Sequence, residues 1–274
     1  MRERFTPLKT EILGMIAETE KKEILKTLNE LGRTHGVERV FRDWCNMTAM
    51  AFSNAFTLQD SKLWKSREEE YKRILERYGD NEPFAHMTAC LTNIFEEDMF
   101  NDHLGRIYMQ AFGGNPNLGQ VFTPYSVARA CAVRAIGKPT AEFKRVNDCA
   151  CGGGALLIAA CEQYHKAGVN YQRYLKVYAE DLDTLCVHMC YIQLSLIGAR
   201  AIVSCRNSLT METSHRFITP MEYLWPMTLG SPEKATDLPS CGVPKTGESR
   251  QKQNNAAQGA GTRESIQLRL FKEV

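Results

Sequence analysis

Apolar residues recur along the first part of the chain at intervals of three and four. Ile24, Leu25, Leu28 and Leu31 share one helical face, and Gly32 is the expected stop. Phe41, Trp44 and Met47 begin a second stripe, and Tyr71, Ile74, Leu75 and Tyr78 mark a charged amphipathic helix ending at Gly79. Residues 1–115 therefore read as a helical region whose stripes pack on one another and on the adjoining domain.

Between 116 and 228 the period changes to short apolar runs alternating with helices. Residues 143–147 form a strand candidate closed by Asp148, followed by a glycine-rich turn and a helix over about 155–166. A second strand over 175–179 is closed by Glu180 and Asp181. A helix over about 184–197 comes next, with Gly198 at its C-terminal end, and then a third strand over 201–205. Strand, helix, strand, helix, strand predicts an α/β domain with a parallel sheet and right-handed crossovers. Residues 229–274 change texture again. Pro, Gly, Ser, Gln, Asn and Lys dominate through Thr262, too little apolar surface to offset ordering entropy, so disorder is expected there. Only Ile266 to Phe271 regain apolar character.

At 274 residues and 31.0 kDa the chain has room for one α/β domain and a helical extension. No run of about 18 apolar residues could cross a bilayer, and the first residues lack the apolar stretch of a signal peptide, so a cytoplasmic protein is expected. The ten cysteines sit in apolar or helical contexts instead of punctuating loops, which predicts free thiols. Cys149 and Cys151 are too close for a structural zinc pair, and Cys186 with Cys190 should lie along one helix, so no metal is expected. A net charge of +2 carries no bulk signature of a nucleic-acid binder.

The candidate chemistry lies in the stretch Val146-Asn-Asp-Cys-Ala-Cys-Gly-Gly-Gly-Ala-Leu156. An acid ends a strand, glycines turn the chain, and a helix begins with its amides exposed to polar or anionic groups. Asp181 closes the next strand, where a carboxylate can accept hydrogen bonds from both hydroxyls of a ribose. The gap of 33 residues from Asp148 exceeds the usual dinucleotide spacing, which favours a different cofactor.

Four elements in order then resemble the adenine-N6 DNA methyltransferases, particularly the modification subunits of type I restriction systems. Gly119-Gln-Val-Phe-Thr-Pro124 is similar to their Gly-Gln-Phe-Phe/Tyr-Thr-Pro element, and Asp102-His-Leu-Gly-Arg-Ile-Tyr108 to the segment leading into it. Asp148-Cys-Ala-Cys-Gly-Gly-Gly154 resembles their Asp-Pro-Ala-Cys-Gly-Ser/Thr-Gly loop, with Cys149 in place of proline. Ala179-Glu-Asp-Leu-Asp183 and Arg206-Asn-Ser-Leu209 resemble the two later elements. The resemblance implies a Rossmann-like S-adenosylmethionine-dependent methyltransferase sheet, whole or truncated, behind the helical region. It implies that Gln120, Phe122 and Thr123 close over S-adenosylmethionine, and that Asp148, Gly152 and Gly154 hold its methionine portion. Asp181 would take the ribose, Leu182 the adenine ring and Asn207 its exocyclic nitrogen. Bland alternatives stand beside these: Phe122 as plain core, Asn207 as a turn residue, Thr123 as a helix cap.

The family's second motif, Asn/Asp-Pro-Pro with a following aromatic residue, is not found. There the amide or carboxylate and a proline carbonyl accept the hydrogens of the adenine amino group, while the aromatic ring stacks on the flipped base. Of the ten prolines no two are adjacent, and Asn115-Pro116-Asn117 precedes the cofactor elements. No catalytic residue is assigned. Finally, Gln267-Leu-Arg-Leu-Phe271 resembles the peptide by which bacterial replication and repair proteins grip the sliding clamp, with Leu270 and Phe271 as anchors and Gln267 setting register. The alternative is an apolar tail docked on its own domain or on a partner. The expected function is an adenine-N6 DNA methyltransferase or its cofactor-binding subunit, with DNA and a partner subunit as partners. The rivals are an inactive methyltransferase-like regulatory module and a methyltransferase with another acceptor.

Overall fold

The computed structural model describes residues 7–59, 61–113, 120–207, 210, 212–228 and 265–268; for 7–13, 226–228 and 265–268 it gives the backbone course alone. The first half is helical. α1 (Pro7–His35), α2 (Val37–Asn54), α3 (Lys62–Leu75), α4 (Glu82–Glu97) and α5 (His103–Phe112) precede α6 (Tyr125–Ile136). α1 does not stop at Gly32. It runs on to His35, and the break falls at Gly36, whose φ of 83° few other residues tolerate. Gly32 is small for a packing reason: a Cβ there would stand 2.4 Å from Cγ2 of Val37.

The α/β part is built in the order β1 (Lys144–Asp148), α7 (Ala155–Lys166), α8 (Tyr171–Tyr174), β2 (Leu175–Asp181), α9 (Thr184–Leu196), β3 (Ala201–Arg206), β4 (Thr213–Ile218), α10 (Pro220–Thr228) and β5 (Ser265–Leu268). Among the described residues the sheet order is β4-β3-β2-β1-β5, with β4 antiparallel and the others parallel. The expected parallel β1-α7-β2-α9-β3 unit is present, and Gly198 ends the α9 turn with a φ of 67°. Sequence reading missed β4. Its pattern, Thr-Ser-His-Arg-Phe-Ile, exposes four of six positions, and the strand exists because β3 offers an edge with which it pairs.

One sheet face carries Val146, Val177, Ala179, Ala201 and Val203, all buried beneath α7 and α9. α9 is apolar almost all round because it is covered twice, by the sheet on one side and by α2 and α5 on the other. The helical region and the sheet thus share one continuous core. On the opposite face α10 is fixed by a buried ion triad: Glu222 accepts from Lys176 at 2.6 Å and from Arg200 at 2.9 Å.

The tail differs from expectation where it is described. Ser265–Leu268 forms a strand beside β1, with Gln267 opposite Asn147 and Leu268 opposite Asp148. Parallel pairing with the open edge of β1 occupies backbone groups that a free tether would leave to water, so docking on its own domain is what the backbone displays. Leu270, Phe271 and residues 229–264 lie outside the described residues.

Candidate functional site

Ligands of parallel sheets collect beyond the carboxyl ends of the strands. β1 ends there in Asp148, β2 in Asp181, and Asn207 comes directly after β3. The glycine loop leaves Asp148 and returns to the sheet through its backbone. The Cys151 amide donates to the Glu180 carbonyl at 3.0 Å, and the Gly152 amide donates to Asp181 Oδ2 at 2.9 Å. Gly152 has a φ of 51° and Gly154 of 94°, left-handed values that the sequence supplies glycine for. Gly154 starts α7 with its amide on the Cys151 carbonyl at 2.8 Å, and a Cβ at this position would meet Cys190 Sγ at 2.9 Å.

The two acids differ in surroundings. Asp181 is half-buried; its Oδ1 takes the Asp183 amide at 3.0 Å and its Oδ2 the Gly152 amide. Each oxygen keeps a further lone pair. Asp148 is 4% exposed, and only Oδ1 has a partner among the described residues, the Ala150 amide at 3.2 Å. Burial, with Asp181 nearby as a second cause, pushes its pKa up to about 6. Oδ2 is a buried acceptor with no donor among the described residues.

Gln120 sends Nε2 to Asp183 Oδ2 at 2.5 Å, while its Oε1 is buried without a partner among the described residues. Phe122 packs edge-on against Tyr108, ring centroids 5.1 Å apart, and its ring would lie 3.3 Å from a Cβ on Gly152. It is therefore both core and cover for the loop. Thr123 is exposed and does not cap α6, whose N-cap is Pro124. Leu182 is 70% exposed at the same edge. Asn207 heads the β3–β4 turn: its amide bonds the Glu212 carbonyl at 3.0 Å and its Oδ1 accepts from the Thr210 amide at 3.3 Å. The structure thus brings Gln120, Phe122, Asp148, Gly152, Gly154, Asp181 and Leu182 to one edge and gives Asn207 a turn to hold. Gly119 and Asn115 to Asn117 lie outside the described residues, as does the side chain of Gln267.

Three residues with no role assigned from sequence hold this edge. Gln193, fully buried in α9, donates Nε2 to the Gly153 carbonyl at 2.7 Å and to Asp102 Oδ1 at 2.8 Å, and its Oε1 accepts from the Leu104 amide at 3.0 Å. Asp102 also caps α5 through the Gly105 amide. Asp183 caps α9 and takes Gln120 and Arg42. Burial opposes its ionisation, but Arg42, the Leu185 amide and Gln120 together bring its pKa below the usual value. Gln193 carried a legible signal, being a lone glutamine in a largely apolar helix; Asp183 carried another, an acid directly before a helix.

Of the cysteines, Cys45, Cys161 and Cys186 have thiols pushed up by burial. Nine are free among the described residues, Cys186 and Cys190 lie on α9 as expected, and the Cys190 contact together with burial pushes the Cys151 thiol up. No group of three metal-ligating side chains occurs among the described residues, and none of the described helices is long and apolar enough to cross a membrane.

Residues 96–224 match the family model described as N-6 DNA Methylase, so over this segment the chain resembles the adenine-N6 methylases. No curated protein matches the sequence. Among solved structures, a protein described as a class I S-adenosylmethionine-dependent methyltransferase of Listeria monocytogenes is 14% identical, with a TM-score of 0.36 over 67% of this chain and 52% of that one. A type I restriction-modification methyltransferase subunit of Streptococcus thermophilus is 12% identical, with a TM-score of 0.33 over 69% and 56%. A DrdV–DNA complex is 16% identical, with a TM-score of 0.34 over 71% of this chain and 24% of that one. The chain spans little more than half the length of the first two.

Proposed function

We propose that this chain binds S-adenosylmethionine at the carboxyl edge of β1 and β2, as an adenine-N6 DNA methylase or the cofactor-holding part of one. The observation that carries the reading is Asp148, a buried carboxyl with one oxygen lacking a donor, beside a glycine loop tied to Asp181. An acceptor of that kind suits the cationic amino acid end of the cofactor, and the free lone pairs of Asp181 suit two neighbouring hydroxyls. Leu182 offers an exposed apolar surface to a base, and Gln120 Oε1 a further acceptor. When bound, the sulfonium of S-adenosylmethionine supplies an electrophilic methyl group. The chain's own residues bind and orient it. The partners proposed with this reading are DNA and a second subunit that handles the base. The tail peptide Gln267 to Phe271 would bind a clamp only with Gln267 and Leu268 released from β1.

Calorimetry with S-adenosylmethionine tests the pocket. The wild type should bind, and Asp181→Ala should bind roughly 10- to 100-fold more weakly, the loss expected from two hydrogen bonds to a charged acceptor. Equal affinity in the two proteins would remove Asp181 from the site.

A second reading, a methyltransferase-like regulatory module without turnover, is favoured by two observations. After Asn207 the chain turns straight back into β4, and no adjacent prolines occur anywhere in the sequence. Plasmid DNA and methyl-labelled cofactor distinguish the two: transferred label supports the enzyme, whereas cofactor binding with no transfer supports the module.

A further inference from the structure

Arg42 of α2 reaches the candidate site from the helical region. Its Nη1 lies 3.1 Å from Asp183 Oδ1 and its Nη2 lies 3.4 Å from Oδ2, while Nε is held by Glu38 at 3.1 Å. The same Asp183 carboxylate accepts Gln120 Nε2 and the Leu185 amide, and the Asp183 backbone amide holds Asp181 Oδ1. One residue, Asp183, therefore joins α2, the approach to α6 and the start of α9 through its carboxylate, and the acid ending β2 through its backbone amide. A carboxylate only accepts hydrogen bonds, so it draws the NH2 group of Gln120 towards itself and fixes which way that amide is turned. The carbonyl oxygen is left for something else, and it is the buried atom without a partner among the described residues.

We propose that Arg42 is a positioning residue for the cofactor site, although it lies outside the segment that matches the methylase family. By neutralising and orienting Asp183 it holds the Gln120 amide in one sense, so that Oε1 is offered to a hydrogen-bond donor on the ligand. The inference rests on the reading of this edge as an S-adenosylmethionine site. It makes the helical region a functional part of that site.

The test is a titration of S-adenosylmethionine into the full chain and its variants, each also melted without ligand. Arg42→Ala should weaken binding about tenfold, the worth of one charge-assisted contact. Arg42→Lys should recover part of this, since it keeps the charge and loses the two-pronged geometry. Because Arg42 is 39% exposed, its ligand-free melting point should move by no more than about 3 °C. Within Gln120→Ala, adding Arg42→Ala should cost nothing more, because the residue through which Arg42 acts is gone. Unchanged affinity in Arg42→Ala, or the same tenfold loss in the Gln120→Ala background, would overturn the proposal while leaving the cofactor reading intact. A wild type that binds no S-adenosylmethionine overturns both.

Discussion

Gln193→Leu should lower stability by about 3–4 kcal/mol, a fall of roughly 10 °C in melting temperature. The leucine fits the space and keeps the burial, so the loss isolates the polar contacts. It strands three buried groups at once: the Leu104 amide, the Gly153 carbonyl and one acceptor site on the Asp102 carboxylate. Each unsatisfied group costs about 1–3 kcal/mol, partly regained where water enters. Denaturant unfolding of the two proteins measures the difference. A loss under about 1 kcal/mol would mean that the network is dispensable. Because the Gly153 carbonyl is set free, S-adenosylmethionine affinity should fall as well, more steeply than for a surface variant of equal stability.

Asp148→Asn should do the reverse. Its folded pKa, about 6, lies above the unfolded value near 3.9, so the folded protein favours the protonated carboxyl. The cost of ionising Asp148 is absent below about pH 4, grows as pH rises towards 6, and is complete above that, reaching about 2–3 kcal/mol. The asparagine avoids it and can still accept the Ala150 amide. The variant should therefore melt several degrees higher than wild type at pH 7.5 and match it near pH 4, while binding a cationic ligand less well. A stability gain of equal size at both pH values would show that ionisation is not the cause. Natural acids that weaken the fold and strengthen a site mark the usual trade between stability and function.

Much of this was legible in the chain itself, for reasons that can be named. β2 and β3 are short apolar runs closed by an acid or a polar pair, α7 is framed by Gly154 and Gly168, and α9 lies between the Asp183 cap and Gly198, so local chemistry marks their ends. Asp148 and Asp181 were readable because they terminate strands in a parallel pattern, where ligands gather. β4 was not, since most of its residues are polar and exposed and its existence depends on a neighbour. Gly32 misled because a glycine needed for close packing with Val37 looks the same in sequence as one that ends a helix. Gln193 and Asp183 stand out locally, but what they support stayed hidden because the partners are remote: Gln193 meets Asp102 91 positions away, and Arg42 meets Asp183 141 positions away. Periodicity reports on neighbours along the chain and says nothing of such pairs.

The strand that carries Asp148 acquires its two flanks at very different moments. Lys144 pairs with Leu175 across a short crossover, but Arg145 pairs with Ser265 only across a far longer span of chain. Closing the longer loop costs more entropy and delivers its contacts last. During synthesis and refolding, β1 must therefore wait as a bare edge until Ser265–Leu268 arrives, open to any strand that reaches it first.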